Sequence, residues 1–143
     1  MNKFMRIALD EAEAALSFGE VPVGAVVVCG GEVISKSHNQ KERMKDPTAH
    51  AEILAIRAAA SKLGDWRLAE CDLYVTLEPC PMCAWAITQA RVKRLYFGAH
   101  DTQYGAAGGF YDLVLGKCEV YAGICELECQ NILNTFFKTQ RHL

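Results

Sequence analysis

The run VPVGAVVV, inside the apolar stretch 21–29, carries no polar residue at either alternate set of positions. A strand with one wet face alternates apolar and polar residues, so this run predicts a strand buried on both faces, inside a sheet that helices cover. It is far too short to cross a bilayer as a helix. Phe4, Ile7, Ala8, Ala12, Ala15 and Leu16 recur at helical spacing before it and predict an amphipathic helix ending near Gly19. Gly30-Gly31 is a turn signal, and EVISKSH alternates after it, so the two runs predict a hairpin. A helix is expected over 46–63, a strand at DLYVTL, a proline-initiated helix at PMCAWAITQARV and a strand at KRLYFGA. A glycine-rich loop, a short strand at CEVYAG and a final helix over about 125–137 complete the order. Strands alternating with helices predict the α/β class, as a three-layer α/β/α sandwich around a mixed sheet.

The chain's 143 residues suffice for one domain with its own core, and no repeat or linker divides it, so a single domain is expected over 1–143. The first sixteen residues, MNKFMRIALDEAEAAL, place acids where an export signal needs its apolar stretch, which predicts a cytoplasmic protein with no membrane partner. Seven cysteines in such a chain argue for metal binding or burial over a disulfide framework. The net charge of -2 gives no global attraction to nucleic acid, so any such partner needs a local patch. The basic stretches ARVKR and FFKTQRH are candidates for one, and ordinary solvated surface is the alternative for both.

Chemistry concentrates at two expected helix starts, PTAHAE and EPCPMC. Pro81 suits the first helical position, which puts Cys80 near the N-cap and Cys83 in the first turn, where both sulfurs reach one point. A helix N-terminus also favours thiolates. Alone, the C-x-x-C could be a redox pair or two buried small residues. Joined to His50, the two thiolates make a set suited to Zn²⁺ with its fourth position open. Cys29, Cys71, Cys118, Cys125 and Cys129 read as buried packing residues, with a second metal at Cys125 and Cys129 the weaker alternative. Glu52 lies two residues beyond His50, roughly 200° around an ideal helix, so the pair is poorly placed to clamp one ion. Its face, shared with Ala49 and Ile56, looks buried, and a carboxylate there is costly without work or a partner. Helix-dipole stabilisation explains an acid in a first turn but not the whole constellation. A carboxylate beside a metal-activated water, yet not bound to the metal, can move protons.

The pattern H-x-E followed by P-C-x-x-C, here HAE and PCPMC, is similar to the signature of the zinc nucleobase deaminases. EVPVGAVVV, the HN at 38–39, DPTAHAEI, LYVTLEPCPMC, FGAHDTQYGAAGG and the FF at 136–137 extend the likeness over nearly the whole chain, and resemble the bacterial tRNA-specific adenosine deaminases. That resemblance implies a cytidine-deaminase-like fold with a five-stranded sheet, a homodimer, one zinc per subunit, and conversion of the wobble adenosine of a tRNA anticodon loop to inosine. It implies that His50, Cys80 and Cys83 hold the metal and that Glu52 shuttles protons. Asn39 would bond the purine edge, and Val23 and the Ala49 backbone would line the pocket. Asp101 would meet a flanking ribose, Phe136 and Phe137 neighbouring bases, and Lys138 and Arg141 phosphates. Adjacent Phe136 and Phe137 cannot face the same way, so one is expected to pack and the other to offer a stacking surface. Two motifs, DPTAHAE and EPCPMC, also occur in some guanine deaminases, so a free-base deaminase is the rival reading, and a catalytically silent zinc module is the alternative from another class. Trp85 departs from the family, which would place a small residue there.

Overall fold

The computed structural model describes residues 1–109 and 111–140. Helix α1 spans Lys3–Ser17 and leads to β1 (Gly24–Cys29) and β2 (Glu32–His38). A short α2 (Lys41–Met44) precedes α3 (Ala51–Leu63), β3 (Cys71–Leu77), α4 (Pro81–Gln89), β4 (Arg94–Ala99), β5 (Glu119–Tyr121) and α5 (Glu126–Gln140). The strands form one sheet in the order β2-β1-β3-β4-β5, with β1 antiparallel to both its neighbours and β3, β4 and β5 parallel. This is the expected α/β sandwich around a five-stranded mixed sheet.

The apolar run at 21–28 is explained by this order. Its strand, β1, is an internal one, and residues 25–28 are all buried. Helix α1 packs on one face of the sheet and touches α5, while α3 packs on β1 and β2 and touches α4. Gly24 lies where α1 crosses β1, and a Cβ there would collide with the Ala8 carbonyl. Only glycine lets helix and strand approach this closely. The Gly30-Gly31 hairpin turn has positive φ at both residues, 60° and 78°, which matches the twist of the two strands it joins. The ring of Tyr74 stacks on Tyr96 with centroids 4.4 Å apart, and Tyr96 on Tyr121 at 4.9 Å, so aromatic contacts carry the sheet out to its short edge strand.

The expected helix over 46–63 requires correction at its start. Residues 47–49 are not helical, and α3 begins at Ala51 with His50 as its N-cap in extended backbone, φ -77° and ψ 151°. Asp46 Oδ1 accepts from the Thr48 N–H at 2.8 Å and the Thr48 hydroxyl at 2.7 Å, which holds Pro47 and Thr48 in a turn instead of letting them open the helix. The cap comes from outside the segment: Asn39 Oδ1 accepts from Ala51 N–H at 2.8 Å. Helix α2, which its composition did not announce, is capped in the same remote way. The buried Glu20 accepts from the N–H groups of Glu42 at 3.1 Å and Arg43 at 2.9 Å.

Candidate active site

Two helix N-termini, α3 and α4, and the end of β3 converge on one cleft of about 380 Å³. Pro81 occupies the first turn of α4, and Cys80 is its N-cap in extended backbone. That geometry turns the Cys80 and Cys83 sulfurs toward the His50 ring, whose Nδ1 lies 3.6 Å from Cys80 Sγ and 3.4 Å from Cys83 Sγ. The three ligand atoms fall within 4.8 Å of one another, and among the described residues no other cluster of this kind forms. One imidazole nitrogen and two sulfurs are a donor set that fits a zinc ion with one position left over.

The protonation of the trio fits the same picture. Hydrogen bonding from the Cys83 thiol, with further help from His50, brings Cys80 down to about 4. Cys83 is raised because it donates to Cys80 and because it is buried. His50 is raised by its bond to Cys80. Of the two sulfurs Cys80 is the more inclined to ionise, and a metal cation would take the place of the proton that Cys83 keeps.

Glu52 sits in the first turn of α3, only 4% exposed yet on the cleft wall. Burial pushes its carboxyl up to about 7. Because His50 is an N-cap in extended backbone, an ideal-helix angle between the two residues does not describe them. His50, at the N-cap, meets both sulfurs, while Glu52, in the first turn, is not among the three converging ligand atoms.

The other expected contacts divide. Asn39, Val23, Asp101 and Phe136 line the same cleft as His50, Glu52 and Cys80. Asn39 has its Oδ1 committed to the α3 cap, which leaves the Nδ2 donors to face a ligand. Asp101 is also a turn acid: its Oδ1 accepts from the N–H groups of Gln103 and Tyr104, each at 3.0 Å. Ala49 is buried but is not on the cleft lining, and its backbone is engaged by Asp46 O and Gln40 N. Phe136 is buried, whereas Phe137 is 48% exposed and borders a second, adjoining cavity of about 740 Å³ with His100, Asp101 and Tyr104. Lys138 is exposed at the end of α5, and Arg141 lies outside the described residues. Of the five cysteines expected to be packing residues, Cys71 and Cys129 are buried, but Cys29, Cys118 and Cys125 are only half-buried. Cys29 is the last residue of β1, and Cys118 and Cys125 stand just before β5 and α5, where covering is incomplete.

The lining also includes charged residues that were not singled out from the sequence, among them Glu20, Lys41 and Glu78. Glu78 stands in the same EPC motif as Cys80, so its position beside a metal-type motif was the available signal. Glu20 heads the EVPVGAVVV stretch, though nothing in it pointed to the cleft; Lys41 stands in no motif, and the cap that Glu20 gives α2 brings it there.

The chain is similar in sequence and fold to known deaminases. A family model described as MafB19-like deaminase matches residues 1–141. A tRNA-specific adenosine deaminase from Agrobacterium fabrum is 48% identical over 143 residues, covering 96% of this chain and 94% of its own. A solved structure from studies of A-to-I editing by tRNA:A34 deaminases at the wobble position of transfer RNA shares 46% identity and a TM-score of 0.88, covering 93% of this chain and 100% of its own. A guanine deaminase structure from Bacillus subtilis shares 40% identity and a TM-score of 0.67, over 82% of this chain and 76% of its own.

Proposed function

The chain belongs to the tRNA-specific adenosine deaminase family, and on that premise we propose that it hydrolyses adenosine to inosine at the wobble position of a tRNA anticodon, releasing ammonia. The observation that carries the chemistry is Glu52, a buried carboxyl on the wall of the cleft that also holds His50 and Cys80. His50, Cys80 and Cys83 would hold one zinc ion per subunit, which when bound supplies an activated water. Glu52 takes a proton as water adds to C6 of adenine and delivers it to N1. It then takes the proton of the new C6 hydroxyl and passes it to the amino group, so ammonia leaves and inosine remains. A carboxyl pushed up to about 7 is suited to both halves of this exchange.

The remaining residues hold the base and its neighbours. Asn39 Nδ2 donates to the purine edge, and Val23 and the Ala49 segment support the pocket. Asp101 meets a flanking ribose, the exposed Phe137 offers the stacking surface for a neighbouring base with the packed Phe136 against it, and Lys138 and Arg141 meet phosphates. An anticodon loop presents bases already unpaired, so turning one into the cleft costs less than extracting it from a duplex. The domain over 1–143 acts in the cytoplasm, where tRNA is met. Among the described residues no helix is long and apolar enough to cross a membrane.

The cleft is completed in a homodimer. Met82 and Trp85 stand three residues apart on α4 and are 37% and 52% exposed, an apolar pair on the helix that carries Cys83. The loop carrying the exposed Leu115 is tied to the same helix by the Thr88 hydroxyl, which donates to the Leu113 carbonyl. Trp85→Glu is expected to convert dimer to monomer in sedimentation at micromolar protein. A variant that stays dimeric would remove this face from the interface.

The B. subtilis guanine deaminase likeness makes a free base the alternative substrate. The zinc-loaded protein should release ammonia from an anticodon stem-loop and not from free guanine, cytosine or adenosine. Conversion of the small molecules alone would overturn the assignment.

A further inference from the structure

We infer that Glu78 is a positioning residue that sets the substrate-contacting loop against the metal-holding helix; the inference rests on the reading of Asp101 as an RNA contact. Glu78 follows the last residue of β3 and is 1% exposed. Its two carboxylate oxygens receive three backbone N–H groups of the glycine-rich loop: Asp101 at 3.1 Å on Oε1, and Ala107 at 3.1 Å and Gly109 at 2.9 Å on Oε2. The His100 ring nitrogen Nδ1 lies 3.8 Å from Oε1.

The loop is built around this carboxylate. A Cβ on either Gly105 or Gly109 would collide with it, so glycine at both places lets the loop backbone close over Glu78. On its other side Glu78 is followed by Pro79, whose carbonyl accepts from Ala106 N–H at 2.8 Å, and then by Cys80. One side chain thus ties the segment holding a sulfur ligand to the loop whose Asp101 lines the cleft and whose Thr102, Gln103 and Tyr104 line the adjoining cavity. A carboxylate only accepts, which suits three converging donors, and charge-assisted bonds of this kind are the strong ones. Glutamine has the same shape but turns two donors toward those N–H groups.

Removing the charge should therefore displace Asp101 while leaving the sulfurs in place. For the anticodon stem-loop, Glu78→Gln is expected to raise KM about tenfold with kcat changed less than about threefold, and to add less than about twofold in KM when Asp101 is already alanine. The cobalt-substituted variant should keep the wild-type thiolate-to-cobalt absorption. Gly109→Ala attacks the same nest from the loop and should give the same KM rise and the same loss of effect beside Asp101→Ala, so the inference remains testable if Glu78→Gln does not fold. Effects that multiply independently with Asp101→Ala, or a loss in kcat with an altered cobalt spectrum, would overturn it. Absence of wild-type turnover on the stem-loop would instead overturn the substrate assignment.

Discussion

Glu52→Gln is expected to lower kcat by about 10⁴-fold, at the upper end of what one general acid–base group contributes, while zinc stays at one per chain. The size follows from Glu52 serving each proton movement in turn: to N1, and then to the leaving amino group. Zinc retention follows from geometry, because the three donor atoms that converge are those of His50, Cys80 and Cys83. The variant should also keep or raise Tm. Burial pushes the Glu52 carboxyl from 4.5 up to about 7, so its ionisation costs folding free energy that builds as pH rises from the unfolded value and is fully present above about 7. Glutamine has no such ionisation. Metal analysis, single-turnover kinetics and calorimetry on one preparation check all three, and near-normal turnover in the zinc-replete variant would remove Glu52 from the mechanism.

Cys83→Ser is expected to remove both zinc and detectable turnover. Cys83 is fully buried and supplies one of only two sulfurs, and a serine hydroxyl is a poor substitute for a thiolate at such a site. A metal held at a hundred times its Kd stabilises the folded state by about 2.7 kcal/mol. For a chain of this size that corresponds to about 5–10 °C in Tm. Wild-type protein treated with a chelator should lose the same increment, and the chelator should have no further effect on the variant. A variant that retains full zinc and activity would contradict the proposed ligand set.

The convergence of the two sulfurs was legible because it is announced locally. Pro81 fixes a helix start, and the C-x-x-C spacing then puts both sulfurs on one side of it. The buried β1 was legible for a similar reason, since a run of valines with no polar alternate has only one place in a sheet. The true start of α3 was not, because Asp46 captures Thr48 and the cap arrives from Asn39, twelve residues upstream. Glu20 and Glu78 stand in the EVPVGAVVV and EPC stretches, but what their carboxylates bind was hidden for the same physical cause. Their partners are backbone N–H groups 22 to 31 residues away, and a backbone donor leaves no residue type in the sequence to be read. Phe136 and Phe137 could be separated into a packed and an exposed ring from adjacency alone. Which ring takes which place depends on how α5 lies against β3 and β4.

The proposed reaction at this site is the conversion of an anticodon adenosine to inosine. It is tested most directly by incubating purified zinc-loaded protein with total tRNA lacking inosine and mapping inosine by mass spectrometry of nuclease fragments. Inosine confined to the first anticodon position, absent with Glu52→Gln, is the predicted result. No inosine in any tRNA fragment, with the protein folded and zinc-loaded, would contradict the account.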